Sequence, residues 1–337
     1  MNMLSLKQAA ASGHKEVFIT YPALGSQLLL LYAAQIRYRQ TGARSLVGTT
    51  VPELFSAAGE FCDVLADVSA LNIGAKFPAL AKAGLRVLPL TYFQPGKTAD
   101  NRLKAELTHR HLLADFCAGM GLSGRVLLDP VFPLLPEEQD FGRFFDDSQI
   151  AIMSEGKERR KTWGAERMQA VVDALRSRYS FVQIGAPTDA PLSGVLDKRG
   201  AFPLRQVAAL LHNSDLFLGG IGALMHLARG VYCPAVITYS LSEPLGVDAY
   251  PCNTNLLAPG GCTRCQTDLL QLEKEGCPED FACVRAIGVD TVITAVEEAM
   301  TRRVEVALLE PNPARPLNAV TARVFSLAQK QMVTVGV

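Results

Sequence analysis

The stretch that most constrains this chain is Asp215–Arg229, which reads DLFLGGIGALMHLAR. Leu216-Phe217-Leu218 is a short, wholly apolar run, the pattern of a strand buried on both faces of a parallel sheet. Gly219, Gly220 and Gly222 follow, around Ile221. Glycine reaches φ > 0 and lets a neighbour approach the backbone closely. Ala223-Leu224-Met225-His226-Leu227-Ala228-Arg229 is then a run of good helix formers. A strand, a glycine turn and a helix start leave N–H groups free at the positive end of a helix dipole, a place for a phosphate or another anion. Taken alone, the same glycines also describe an ordinary tight turn in an α/β sheet.

The same strand–turn–helix plan recurs along the chain. Glu16–Tyr21, Arg44–Gly48, Asp63–Ser69 and Leu85–Leu90 read as strands, with helices expected over Gln27–Gln40, Pro52–Ala58 and Phe77–Gly84. Farther on, Gln149–Met153, Phe181–Ile184 and Ala235–Thr238 read as strands, and Glu166–Tyr179, Arg205–His212 and Val289–Met300 as helices. Alternation at this spacing predicts α/β architecture, with parallel sheets and crossover helices. At 337 residues two domains are expected. Pro130, Pro133 and Pro136, with Glu137, Glu138 and Asp140, read as a linker or edge segment. The expected division is residues 1–147 and 148–337.

Charge narrows the partners. Formal net charge is zero, which argues against nucleic acid as a partner. Val17–Ile36 carries no charged residue, but Pro22, Gly25, Ser26 and Gln27 interrupt it, so strand–turn–helix fits better than a membrane span. Met1–Glu16 lacks the continuous apolar segment of a secretory signal. The expectation is a cytoplasmic protein with no transmembrane segment and at most peripheral membrane contact.

Several local features invite a chemical reading. Pro22–Ser26 is a turn in which Ser26 suits a helix N-cap. Leu28 to Leu31 are too continuously apolar for a surface helix. Thr91–Lys97 reads as a loop and Arg102–Met120 as one long helix. Its His109-Arg110-His111 cluster would either face solvent or meet an anionic acceptor. A polar loop, Ser154–Arg160, precedes Lys161-Thr162-Trp163. Ser240, Ser242 and Glu243 follow the strand Ala235–Thr238, where ligands gather in open α/β sheets.

Lys161-Thr162-Trp163, the glycine turn and a later cysteine group together resemble the heptosyltransferase-like family of glycosyltransferases, glycosyltransferase family 9. The likeness covers most of Gln149–Met300 and is weaker over the first half. It implies the GT-B architecture: two facing Rossmann-like domains, an N-terminal acceptor domain and a C-terminal domain that binds a nucleotide sugar of the ADP-heptose type. It implies transfer of a heptose or similar sugar to a surface glycan such as lipopolysaccharide, or to a protein, without a catalytic metal. On the family's pattern Lys161 contacts phosphate, Gly219, Gly220, Gly222, Ala223 and Leu224 cradle the donor, and His226 matches the family's helix histidine. Ser240 joins them as a pocket residue. Ile221, Gly222 and Ala223 fall where the family has Asp, Ser or Thr, and Gly. Ser26 falls where it has the aspartate that takes the acceptor's proton. A serine cannot serve as that base unaided, so Glu155 is the candidate to supply the carboxylate. The alternative is a nucleotide-sugar binder or partner subunit that has lost the base.

Cys262-x2-Cys265, Cys277 and Cys283 lie close together in sequence, in the segment 260–284. A Cys-x2-Cys pair with two later cysteines can make a tetrahedral site for a structural zinc or iron. Two disulfides or four free thiols are the other readings. Members of the resembled family often carry a four-cysteine insertion here, and some hold iron.

Overall fold

The apolar runs pair with one another, and in both main sheets they pair in parallel. The computed structural model describes residues 1–97, 103–107, 110–260, 262, 276–309 and 331–335. The chain divides into two units. One comprises Met1–Phe93, Thr108–Pro133 and Lys330–Val337, and the other Gln94–Leu107 and Leu134–Gln329.

The first unit is built on β1 (Asn2–Leu4), β2 (Glu16–Thr20), β3 (Ser45–Gly48), β4 (Cys62–Leu65) and β5 (Arg86–Leu90). Their order in the sheet is β1-β4-β3-β2-β5, and every pairing is parallel. Helices α1 (Leu6–Ala11), α2 (Leu24–Thr41) and α3 (Ile73–Lys82) lie between them in sequence. Leu28, Leu29, Leu30 and Leu31 are all buried, as an uninterrupted leucine run requires, and α2 packs on β2 and β3. It ends at Gly42, whose φ of 70° is left-handed and whose N–H caps the Tyr38 carbonyl.

Ser26 does not cap this helix. Ala23 is the N-cap, so Ser26 is the third helical residue, and it is buried. The start is fixed by Gln27, whose Nε2 donates to the Tyr21 carbonyl at 2.6 Å and whose Oε1 accepts from Thr49 Oγ1 at 2.6 Å. Those bonds pull the first turn back toward Pro22, ahead of the serine.

Two further expectations change. Phe93–Lys97 is a strand, β6, paired with β7 (Leu103–Leu107). The helix then begins only at Leu112, as α4 (Leu112–Gly119). Leu103-Lys104-Ala105-Glu106-Leu107 is made of helix formers, yet it also alternates apolar and polar. A pairing partner decides such a segment more than propensity does. Strand β8 (Gly124–Leu128) follows α4.

The second unit holds β9 (Gln149–Ile152), α5 (Ala165–Leu175), β10 (Ser180–Gln183), β11 (Leu196–Asp197), α6 (Leu204–His212), β12 (Leu216–Gly220), α7 (Ala223–Gly230), β13 (Ala235–Tyr239), α8 (Leu245–Asp248), β14 (Thr254–Leu257), α9 (Ala282–Arg285) and α10 (Val289–Leu309). Its sheet runs β11-β10-β9-β12-β13-β14, parallel throughout. Met168, Val171, Val172 and Leu175 of α5 all face the core of this unit, with Ile150, Leu218 and Val296. Buried Asp215 ties β12 to β9: its carboxylate accepts from Gln149 N at 2.8 Å and from Arg143 at 2.9 Å. Last in the chain, β15 (Gln331–Val335) pairs antiparallel with β8, in the first unit. Among the described residues no helix is long and apolar enough to cross a membrane.

Of the basic cluster before α4, His109 lies outside the described residues, and His111 is no solvated side chain. It is buried and caps α4, with Nδ1 accepting from Leu113 N at 3.2 Å. Burial holds its pKa down to about 4, from an ordinary 6.5. A protonated ring would also lose the capping acceptor and place a cation at a helix N-terminus. The folded state thus refuses a proton that the unfolded chain accepts. Stability should fall as pH drops from about 6.5 to about 4, by up to about 3 kcal/mol. His111→Asn keeps a capping acceptor and should flatten that slope in urea melts run across the window. An unchanged slope would remove His111 as its source.

Candidate functional site

In the second unit's sheet the chain runs from β9 outward to β10 on one side, and β12 lies on the other side of β9. This is a topological switch point, where the loops leaving adjacent strands part and open a crevice at their carboxyl ends. The loop after β9 carries Glu155 to Lys161, the turn after β12 carries the glycines, and the loop after β13 carries Ser240 to Glu243. Register places the ends together, with Leu218 opposite Ile152 and Gly220 opposite Thr238.

Two glycines are required for different reasons. Gly220 ends β12, and a Cβ there would sit 2.7 Å from the Lys161 carbonyl oxygen. Close backbone approach is what excludes a side chain at that position. Gly222 caps α7 with φ 156° and ψ −166°, and a Cβ there would meet nothing within 4 Å. Conformation, not space, selects glycine at this cap. Gly219 is buried with Gly220 in the strand, while Gly222, Ala223 and Leu224 are half-buried. The first intrahelical bond runs from Met225 N to the Gly222 carbonyl at 3.1 Å. The N–H groups of Ala223 and Leu224 precede that ladder, as at any helix start. One turn in, His226 is buried, with Nδ1 2.8 Å from the Tyr250 hydroxyl and its ring edge-on to the Tyr250 ring.

Lys161 ends a short 3-10 turn, Arg159–Lys161. Trp163 fastens it: the indole is buried in the core and its Nε1 donates to the Ile287 carbonyl at 3.0 Å. Lys161 Nζ lies 2.6 Å from Glu243 Oε1 and 3.7 Å from Glu158 Oε1. Arg160 reaches the same Glu243 oxygen at 3.2 Å and also pairs with Glu158. Burial would lower the Lys161 pKa, but the charges of Glu243 and Glu158 and the bond to Glu243 together raise it above its ordinary range. Glu243 is 5% exposed. Burial would raise its pKa; Lys161, Arg160 and a hydrogen bond from Asp248 bring it down to about 2.

Asp248, the last residue of α8, completes the cluster from beneath. Burial and the Glu243 charge push its carboxyl well above the usual carboxylate range, which favours the protonated form beside Glu243. Tyr239 is hydrogen-bonded to Asp248, and its hydroxyl lies 3.0 Å from Met225 Sδ on α7. One oxygen of Asp248, Oδ1, is buried with no hydrogen-bond partner among the described residues. The turn after β9, the loop after β13 and helix α7 thus meet in one polar cluster.

No family model and no curated protein matches the chain. Solved structures do. The iron-containing dodecameric glycosyltransferase TibC from enterotoxigenic E. coli H10407 superposes with a TM-score of 0.62 at 17% identity, over 86% of this chain and 77% of that one. The glycosyl transferase family 9 protein from Veillonella parvula DSM 2008 gives 0.62 at 15% identity, over 86% and 98%. E. coli ADP-heptose lps heptosyltransferase II gives 0.60 at 13% identity, over 86% and 99%. The fold is that of the family 9 glycosyltransferases.

Within this family 9 fold, Lys161, Gly219, Gly220, Gly222, Ala223 and Leu224 come together at one sheet edge, and His226 lies one turn deeper. Ser240 is buried, its Oγ 2.5 Å from Ser242 Oγ. Glu155 sits on the β10 side, where its Oε2 accepts from Ala190 N at 2.9 Å. Ser26 belongs to the first unit, and its buried Oγ has no hydrogen-bond partner among the described residues. Of the expected four-cysteine set, three members are described. Cys262 is exposed, Cys277 and Cys283 are half-buried, and Cys283 packs on the apolar core. Cys265 lies outside the described residues. Among the described residues no three His, Cys, Asp or Glu side chains gather to hold a metal.

Asp248, Tyr239 and Tyr250 escape sequence reasoning. Their only signal is position, just after or at the end of a carboxyl-end strand, and nothing in the pattern marks their burial. The close approach at Gly220 gives a direct test. Gly220→Ala should force the Lys161 turn outward and cost about 1–3 kcal/mol of stability in thermal unfolding. Ala at Gly246, where a Cβ meets nothing within 4 Å, serves as the control. Equal melting of the two variants would show that the Lys161 carbonyl does not confine Gly220.

Proposed function

We propose that this chain binds the nucleoside diphosphate of an activated sugar at the carboxyl end of the second unit's sheet and transfers the sugar to a hydroxyl of a glycan or protein acceptor. The observation that carries this reading is the contact of the Lys161 backbone with Gly220. It sets an ammonium-bearing turn against a glycine turn and a helix start at the switch point. That is the constellation a diphosphate needs: N–H donors, the positive end of a helix dipole and a cation.

The transfer would be a direct displacement. An acceptor oxygen attacks the anomeric carbon, the bond from that carbon to the diphosphate oxygen breaks, and the electron pair leaves with the diphosphate. Negative charge grows on that oxygen, where the N–H groups of Ala223 and Leu224 and the Lys161 ammonium would stabilise it. TibC has been solved with ADP-D-beta-D-heptose, so an ADP-heptose is the first donor to try, with a lipopolysaccharide-like glycan as acceptor. His226 would act indirectly by holding Tyr250. The acceptor's proton needs a base within hydrogen-bond reach. Glu155 is our candidate, since it lies in the loop that leaves β9 at this edge.

A second reading is a nucleotide-sugar binder without transfer. Ser26 supports it, because a serine with a buried, unpartnered hydroxyl stands where the family has its aspartate.

One set of titrations and assays separates the two. Lys161→Ala should weaken binding of ADP, UDP or GDP, more so at low salt. Unchanged affinity removes Lys161 from the site. Glu155→Gln should lower turnover of a demonstrated donor by about 10²-fold while leaving nucleotide affinity intact. Undiminished turnover moves the base elsewhere. Nucleotide binding without transfer to any acceptor establishes the binder.

A further inference from the structure

The charges around Lys161 already close without a ligand. Lys161 and Arg160 supply two positive charges and Glu243 and Glu158 two negative ones, and burial and the Glu243 charge raise the pKa of the neighbouring Asp248. The Glu243 oxygen nearest Lys161 stands 2.6 Å from the ammonium, the separation a phosphate oxygen would take. A diphosphate arriving at the glycine turn therefore meets a cation that is occupied, with a buried carboxylate at its side.

We propose that Glu243 is an internal counter-anion which holds Lys161 in the resting protein, gives it up to the ligand's diphosphate, and takes up a proton as it does so. The proposal rests on the diphosphate reading of the site and adds what sets its affinity and selectivity. Like charges in a shared, partly desolvated site cannot both persist, and the group able to accept a proton does so. The groups facing Glu243 are Lys161, Arg160 and Glu158 from the turn after β9, Asp248 from α8 and Tyr239 from β13. Once Lys161 turns to the ligand, the Glu243–Asp248 pair keeps Arg160 but loses the closer cation, and its negative charge is left beside the diphosphate. A proton from solvent then neutralises the pair, and no other bond changes. The exchange favours ligands that bring more than one negative charge. A diphosphate, able to cover both Lys161 and the start of α7, displaces Glu243, whereas a single phosphate group competes poorly.

The probe is inorganic pyrophosphate, with orthophosphate, ADP, UDP and GDP as further arms. Each is titrated calorimetrically into the full chain at neutral pH, in buffers of different ionisation enthalpy. Glu243→Gln should bind pyrophosphate at least about tenfold more tightly than the native protein. Its proton uptake per pyrophosphate should be lower by close to one. Orthophosphate should gain less. Glu243→Asp, which keeps the charge, should keep most of the uptake. Equal or weaker pyrophosphate affinity with unaltered uptake in a folded Glu243→Gln overturns the proposal, as does failure of both proteins to bind pyrophosphate. If Glu243→Gln does not fold, the native protein decides. Its affinity must rise with falling pH more steeply than pyrophosphate's own ionisation accounts for, and a slope equal to that ionisation overturns the exchange. Pyrophosphate that behaves as expected, with no nucleotide bound by either form, sinks the nucleotide-sugar function and leaves the counter-anion standing.

Discussion

A half-buried cation needs a partner, and much of the carboxyl end of the second unit's sheet is organised by how Lys161 finds one. The ammonium is taken out of water by the turn after β9, and the Glu243 carboxylate that meets it comes from the loop after β13. Removing one member of such a pair strands the other charge in a poor solvent, which is far costlier than losing a surface ion pair. The neighbours therefore serve the pair. Arg160 braces Glu243, Asp248 lies beside it with its pKa raised by burial, and Trp163 fixes the turn by its bond to the Ile287 carbonyl. Loops that would otherwise be independent connections thus become one rigid rim.

The backbone beneath the rim obeys a simpler constraint. Parallel strands deliver their carboxyl ends to one side of the sheet, and the change of direction at β9 leaves room above them. Gly220 lets the Lys161 turn come down onto β12, and Gly222 lets α7 begin at once. An acid at the position of Ile221 is what the family pattern leads one to expect, yet that side chain is buried and apolar here. The carboxylate against Lys161 comes instead from Glu243, in a different loop.

The sheets and the main helices could be read from the sequence because their signals are local: apolar runs for β9, β12 and β13, helical spacing in α5, a continuous leucine run in α2. The glycine turn is legible for the same reason, whereas Lys161 is marked by the family resemblance of Lys161-Thr162-Trp163. The failures had long-range causes. Leu103–Leu107 pairs as a strand although its residues favour helix, because Phe93–Lys97 lies beside it. Ser26 has the chemistry of a cap, but Gln27 anchors the helix start ahead of it. His111 stands in a basic cluster whose residue types fit either solvent or an anionic acceptor, and its burial depends on packing. Asp248 looks like any loop acid until it is folded against Glu243, and its raised pKa is a property of that juxtaposition.

The pairing of β15 with β8 bears on how the protein is made. A chain emerging from the ribosome presents β8 early, but its partner strand, residues 331–335, emerges only after the whole second unit has been synthesised. Until then β8 lacks that partner, and an open strand edge is a template for pairing with other chains. The second unit can therefore complete its sheet before the first can complete all of its own, although the first begins the sequence. Translation speed through residues 134–329 sets how long that edge stays open.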